Sequence, residues 1–350
     1  MSTPLATQAT PLALLRMTDG LVVHQTLCAA ATLGIADLLT AGERSSAELA
    51  SALHLNEDAL YRALRFLSGQ GVFRETGPRT FVNTPLSEYL RSDVPGSIRS
   101  VLIFRGSRYY FSPFTEFLYS LQTGIPARDK VLGTGAFEYL RASPEDERVF
   151  DEAMTAVSAL WAPAIAEIYD FGHWHTVTDV GGGSGLLLSA ILRAHPAVQG
   201  VLADAPSVVE RARCREFLAG ELAARTRFEP CDFFQAIPSG SRAYVMKNII
   251  HDWNDEQACQ ILRNCRRAVP DDGALVLIEY GLGDDNTPSL GKMVDLVMLT
   301  ITGGKERTIA EHRALLASTG FRLNRTIPIS AEITIVEAFP IPGNLSSLRD

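Results

Sequence analysis

TVTDVGGGSG, residues 176–185, decides the fold. A short β-prone run meets Gly181, Gly182, Gly183 and Gly185, and LLLSAILRA (186–194) continues behind them on a helical period. A strand that turns through glycines into a helix lets backbone N–H groups and the helix N-terminus approach a ligand closely. The spacing narrows what that ligand is. A dinucleotide loop needs G-x-G-x-x-G, but counting on from Gly181 or Gly183 ends on a leucine, and no G-x-x-x-x-G-K-[ST] occurs. What stands is Asp-x-Gly-x-Gly-x-Gly, from Asp179 to Gly185. Asp204 closes the next β-prone run, VQGVLADAP (198–206), where a carboxylate can accept hydrogen bonds from both ribose hydroxyls. The pattern implies a nucleoside without a pyrophosphate, and an acid ahead of the glycines suits a nearby ammonium group.

Working outward, AYVMKNII (243–250) and ALVLIEY (274–280) are further short apolar runs, separated by helical stretches such as DEQACQILRNCRRAV (255–269). Strands alternating with helices specify a parallel, doubly wound α/β sheet. GFRLNRTIPISAEITIVEAF (320–339) holds two β-prone runs with no helix between them, so the sheet ends in an antiparallel hairpin. The expected catalytic domain is therefore 171–343, preceded by a helical, aromatic section at 106–170 that contributes a pocket wall.

Residues 11–105 read differently. LVVHQTLCAAATLGIADLL (21–39) carries apolar residues on a helical period and is long enough for a helix of four turns, and two short helices follow, starting at Ser and Asn caps. GVFRETGPRTFVNT (71–84) then reads as a wing, two β-prone runs around a Gly-Pro turn. Helix, helix, helix, wing is a winged-helix pattern, which often binds DNA. The charges argue against that here: residues 41–100 hold seven Arg and no Lys against seven Asp plus Glu, and a phosphate-binding face needs clustered cations. The apolar first helix is better matched to burial against another subunit. A dimerisation module is expected.

Composition agrees. Of the 350 residues 46% are hydrophobic and 21% charged, with a net charge of −8, which disfavours nucleic acid and anionic membranes as partners. No apolar run reaches the roughly 18–20 residues of a membrane span, and MSTPLATQATPLALL lacks the character of a signal peptide. Five cysteines form no C-x-x-C pair, as expected of reduced thiols in the cytoplasm. His173 and His175 have no acidic or thiol partner at ligand spacing, and no metal is expected.

DVGGGSG, LADAPSVVERA, CDFF, KNIIHDWNDE, LIEY and GGKERT, in that order, resemble the S-adenosylmethionine-dependent O-methyltransferases of the caffeic-acid and hydroxyindole type. That family includes many bacterial tailoring enzymes of aromatic natural products. AAATLGIADLL, ALRFLSGQGVF and TPLSEYL are similar to its dimerisation domain, and the likeness runs from about Leu21 to Ile341. It implies a Rossmann-like class I methyltransferase domain, S-adenosylmethionine as cofactor, and a homodimer. By the same resemblance Gly181, Gly183 and Asp179 border the methionine part of the cofactor and Asp204 holds the ribose. Asp232 would meet the adenine amine, Phe233 the ring face, Lys247 the backbone end of the methionine, and Met154, in FDEAM, the sulfonium. Cys231 departs from the family's usual glycine.

Methyl transfer from a sulfonium is an in-line displacement, so the protein must align the acceptor and remove its proton. In NIIHDWNDEQ (248–257) His251 lies just past a strand, at the carboxyl edge where open α/β sheets place ligands. An imidazole base needs an orienting partner that fixes its tautomer. Asp252 is adjacent, but neighbours in an extended turn usually point apart; Glu279 and Glu306 match the family's carboxylates beside the catalytic histidine. The competing role for Glu306 is a surface ion pair with Lys305 or Arg307. A phenol of pKa about 10 against a histidine of about 6.5 leaves a mismatch of about 5 kcal/mol, which concerted transfer can absorb. The expected acceptor is therefore a phenol or enol on a small aromatic molecule. Trp161, Asp295 and Met298 are candidates for its pocket. The alternatives are C-methylation of an activated carbon and, from another class, a ligand-sensing winged-helix regulator.

Overall fold

Helix caps and breaks in the N-terminal unit follow local chemistry. The computed structural model describes residues 10–283 and 285–343. Its chain divides into two units between Phe111 and Ser112. The first contains helices α1 (Pro11–Thr18), α2 (Gly20–Thr32), α3 (Ile35–Leu38), α4 (Ser46–Leu53), α5 (Glu57–Gly69), α6 (Arg99–Gly106) and α7 (Arg108–Phe111), with strands β1 (Arg44–Ser45), β2 (Phe73–Gly77) and β3 (Thr80–Asn83). The Ser45 hydroxyl accepts from the Glu48 N–H while the Glu48 carboxylate accepts from the Ser45 N–H, a reciprocal cap on α4. Asn56 caps α5 by accepting from the Ala59 N–H, and Leu60, Leu64 and Leu67 then fall on one buried face.

The wing is present, with β2 and β3 antiparallel and β1 completing the sheet in the order β1-β3-β2. The single helix expected over 21–39 is not. Gly34 takes a left-handed φ of +65°, and the chain bends there between α2 and α3. A periodic apolar pattern runs through that glycine unchanged, which is why the sequence reads as continuous. Leu12, Leu14, Leu15, Met17, Leu21 and Val22 are exposed on α1 and the start of α2.

The second unit begins with α8 (Phe117–Thr123), α9 (Ala127–Leu132), α10 (Ala136–Ala142) and the long α11 (Pro144–Ile168). The α/β section follows: β4 (Thr176–Val180), α12 (Leu186–Ala194), β5 (Gln199–Asp204), α13 (Pro206–Arg213), β6 (Thr226–Pro230), β7 (Ala243–Lys247), α14 (Asp255–Ala268) and β8 (Ala274–Tyr280). It closes with α15 (Leu290–Ile301), α16 (Ile309–Ser318), β9 (Phe321–Pro328) and β10 (Ile333–Pro340). The sheet order is β6-β5-β4-β7-β8-β10-β9. Neighbours from β6 to β8 pair in parallel, whereas β10 pairs antiparallel with both β8 and β9.

Strand order reverses between β4 and β7, so a crevice opens at their carboxyl ends. β8 is buried along its whole length and β7 up to Met246, consistent with their unbroken apolar sequence. Val180, Met246, Leu277, Ile261 and Leu262 pack in the core beneath that crevice. The strand that sequence reading missed is β6, TRFEP, which lies at the sheet edge with no residue fully buried.

Candidate active site

The glycine turn after β4 is held in shape by close packing. A Cβ on Gly181 would meet Ile249 Cδ1 at 2.4 Å, and one on Gly185 would meet Leu218 Cδ1 at 2.5 Å; both glycines have positive φ. Gly183 has φ +56° with nothing within 4 Å of a Cβ, so its face of the turn is open. Its N–H donates to Asp204 Oδ2 at 2.9 Å, and the Ala205 N–H donates to Oδ1 at 2.6 Å. Asp204 thus ties the end of β5 to the loop after β4. Burial raises the pKa of Asp204, while these two amide donors pull it back toward the ionised form.

Beneath the loop lies a second acid. Asp179 is buried, and its Oδ2 has no hydrogen-bond partner. Burial, then the neighbouring Asp204, push its pKa up to about 7. Lys247, the last residue of β7, donates from Nζ to Ser158 Oγ on α11 at 3.3 Å. Burial pulls its pKa down to about 8 against the pull of Glu279 and Asp179. An unpartnered buried carboxylate oxygen beside an open glycine face suits a cationic, nucleoside-bearing ligand.

Farther along the same edge, Asp232 is exposed and its Oδ1 accepts from the Phe234 N–H at 2.9 Å. Phe233 packs edge-on to Trp253 with centroids 6.0 Å apart, and its carbonyl accepts from Asn264 Nδ2. Cys231 is partly buried and donates its backbone N–H to the Asp204 carbonyl at 2.8 Å. Burial and the two flanking aspartates push its thiol up to about 12, so it stays protonated.

On the other side of the crevice, His251 sits in a short 3-10 turn, Ile250–Asp252, and is buried. Its Nδ1 lies 2.6 Å from Glu306 Oε1, so Nδ1–H donates to that carboxylate and Nε2 is not used in this bond. Glu279 works on the backbone instead. Its Oε1 accepts the Ile250 N–H at 3.1 Å, fixing the turn, and its Oε2 stands 3.9 Å from Nδ1. Asp252 Oδ1 is 3.9 Å from Nε2, too far to bond, as expected for adjacent residues. Burial works against the imidazolium, but Glu306, Asp252 and Glu279 outweigh it and push the pKa up to about 10. The direction is upward from the ordinary histidine value used in reading the sequence. Three carboxylates from three chain segments surround the ring, which no linear pattern displays.

The segment 303–307 is fitted against that turn. A Cβ on Gly304 would stand 2.0 Å from the His251 carbonyl oxygen, so only glycine allows this approach. Arg307 donates to the Ile250 and Trp253 carbonyls and, like Lys305, pairs with Asp255. The alternative in which Glu306 pairs with Lys305 or Arg307 does not hold, because both cations are used elsewhere. Asp295, expected at the substrate, accepts the Glu306 N–H at 2.9 Å through Oδ1 and so supports the carboxylate that holds His251. Arg307 and Gly304 were missed by sequence reasoning, although both lie in the GGKERT motif. Met298 is buried on α15, and Met154 and Trp161 are partly buried on α11.

Among the described residues, His251, Glu279 and Glu306 form the one group of three or more His, Cys, Asp or Glu whose ligand atoms all lie within 4.8 Å of one another. The 2.6 Å contact is a charge-assisted hydrogen bond, tighter than the about 3 Å separating two ligands bound at right angles to one ion. Glu279 Oε2 and Glu306 Oε2 are buried without partners.

The O-methyltransferase domain model matches residues 119–322, and the O-methyltransferase dimerisation domain model matches 15–93. The chain belongs to the O-methyltransferase family. It is 41% identical over 328 residues to a phenazine O-methyltransferase of Lysobacter antibioticus, covering 94% of this chain and 96% of that one. An O-methyltransferase from neocarzinostatin biosynthesis, solved with S-adenosylmethionine and 2-hydroxy-5-methyl naphthoic acid, superposes with a TM-score of 0.80. It is 36% identical, covering 91% of this chain and 96% of that one. An 8-amino-8-demethylriboflavin N,N-dimethyltransferase of Streptomyces davaonensis is 33% identical over 317 residues, covering 89% and 90%. The enzyme's catalytic unit thus has the class I methyltransferase fold, preceded by a helical dimerisation domain. No helix among the described residues is long and apolar enough to cross a membrane.

Proposed function

We propose that the enzyme methylates a hydroxyl of a fused aromatic metabolite, with His251 as general base. The cofactor is S-adenosylmethionine, which supplies an already activated methyl group when bound. Asp204 would hold the ribose, the Gly181–Gly183 face and Asp179 the methionine end with Lys247 nearby, and Asp232 and Phe233 the adenine. Met154 would lie beside the sulfonium, and Trp161 and Met298 would wall the acceptor.

The observation that carries the reading is the 2.6 Å hydrogen bond from His251 Nδ1 to Glu306. With Nδ1–H given to Glu306, Nε2 would be the nitrogen that takes a proton. The hydroxyl proton would pass to Nε2 as the methyl group leaves the sulfonium sulfur for the acceptor oxygen, the sulfonium leaving as a neutral thioether. The carboxylates around the ring raise its pKa toward that of a phenol, so the deprotonated ring is a stronger base than an ordinary histidine, and that base form grows as pH rises. An aliphatic alcohol has no such match. Glu279 and Asp295 would act indirectly, the first on the backbone of the histidine turn and the second on Glu306. The exposed apolar residues of α1 and α2 are read as the homodimer face.

A second reading follows from the flavin-amine relative: an aromatic amine as acceptor. The two separate when hydroxy- and amino-substituted phenazines and naphthoates are incubated with methyl-labelled cofactor. Label on the phenols and none on their amino counterparts is the expected result. Transfer to amines alone would replace the proposal with N-methylation.

A further inference from the structure

Helix α11 lays a polar seam across three strand ends. Glu147, Asp151, Thr155 and Ser158 recur at spacings of four, four and three, which places them along one face of the helix. Together they meet three parts of the crevice rim. Arg211, on α13 just past β5, donates from Nε to Asp151 Oδ2 at 2.8 Å and from an amino group to Glu147 Oε1 at 2.9 Å. The Thr155 and Ser184 hydroxyls lie 3.0 Å apart, joining the helix to the loop after β4. Ser158 accepts from Lys247 at the end of β7. The helix is thereby strapped over the carboxyl ends of β5, β4 and β7, where Asp204, Gly183 and Lys247 stand.

Two of these links are hydroxyl contacts. The third is ionic, and it sits at the outer end of the strap. Glu147, Asp151 and Arg211 are each partly buried, with side-chain exposures of 18%, 21% and 34%. A guanidinium that bridges two carboxylates one helical turn apart holds both position and angle, which one surface pair does not. The bridge also touches the ribose-side acid electrostatically. Asp151 lies close enough to Asp204 for their charges to oppose, and Arg211 offsets that repulsion.

We infer that Arg211 is a positioning residue for cofactor retention: by clamping Glu147 and Asp151 it keeps α11 closed over the cofactor crevice and slows release of the spent cofactor. The inference rests on the S-adenosylmethionine-binding reading of that crevice. It assigns Arg211 no contact with the reacting atoms. Opening the clamp lets the outer half of α11 lift, while Thr155 and Ser158 keep the inner half seated.

The test compares wild type, Arg211→Met and Arg211→Lys as full-length enzyme. S-adenosylhomocysteine affinity is read by calorimetry, its dissociation by stopped-flow displacement, and turnover at saturating cofactor. Arg211→Met is expected to release S-adenosylhomocysteine about fivefold faster and bind it correspondingly more weakly, with turnover within about twofold of wild type. Arg211→Lys, which keeps the charge but loses the fork, should fall between. Added salt should speed release from wild type but have little effect on Arg211→Met. Unchanged release in a folded Arg211→Met, or lower thermal stability with unchanged affinity, overturns the inference. If Arg211→Met does not fold, Glu147→Gln must give the same faster release, and unaltered release there overturns it equally. Wild type that binds no S-adenosylhomocysteine would instead sink the cofactor reading, a separate outcome.

Discussion

At the scale of one residue, His251 is defined by what faces each nitrogen. Nδ1 is committed to Glu306, and the carboxylates around the ring raise its pKa despite burial. In the free enzyme the imidazole is therefore protonated at neutral pH, and the base form grows as pH rises. kcat/KM, which reports free-enzyme groups, is expected to climb through the range from pH 7 toward 10. Glu306→Gln removes one negative charge, so the histidine pKa falls and the rising limb moves to lower pH. The maximal turnover drops as well, by roughly tenfold or more, because the ring loses its orienting acceptor. A limb that stays in place in Glu306→Gln would detach Glu306 from the histidine. His251, Glu279 and Glu306 were all legible in the sequence from the family's motifs. The pKa was not, since it depends on carboxylates that only the fold assembles.

At the scale of elements, the strand ends matter more than the strands. The Asp-x-Gly-x-Gly-x-Gly turn and Asp204 were readable because close packing at Gly181 and Gly185 leaves glycine as the fitting residue, and composition records that directly. Asp204 bridges two strand ends by accepting from Gly183 and Ala205. Asp204→Ala is expected to weaken S-adenosylmethionine binding at least tenfold while leaving turnover at saturation much less affected. This follows from losing a charge-assisted contact to a ground-state ligand. Calorimetry that showed unaltered affinity would remove Asp204 from the cofactor site. Two element-level readings failed for physical reasons. Gly34 breaks an apolar period that itself continues, and the edge strand β6, as long as β4 and β7, is too polar to stand out. Asp295 shows a third limit: its acceptor role toward the Glu306 amide is a contact between distant segments.

At the scale of the molecule, the N-terminal unit and the catalytic unit carry different surfaces. The first presents Leu14, Met17, Leu21 and Val22 to solvent in one chain, apolar side chains that a partner subunit would cover. Sedimentation of the wild type should give a dimer, and Leu21→Asp with Val22→Asp should shift it toward monomer at micromolar concentration. Wild type that sediments only as monomer would refute the homodimer. The winged-helix pattern was legible in outline, and the equal balance of arginine and acid in 41–100 directed the reading away from DNA.

His251 as the general base is tested by one comparison. Single-turnover methyl transfer to a phenolic acceptor is measured for wild type and His251→Ala, alongside the S-adenosylmethionine affinity of each. The predicted result is a rate lower by roughly 10²–10⁴-fold with affinity nearly unchanged. A His251→Ala rate equal to wild type, at equal affinity, would contradict it.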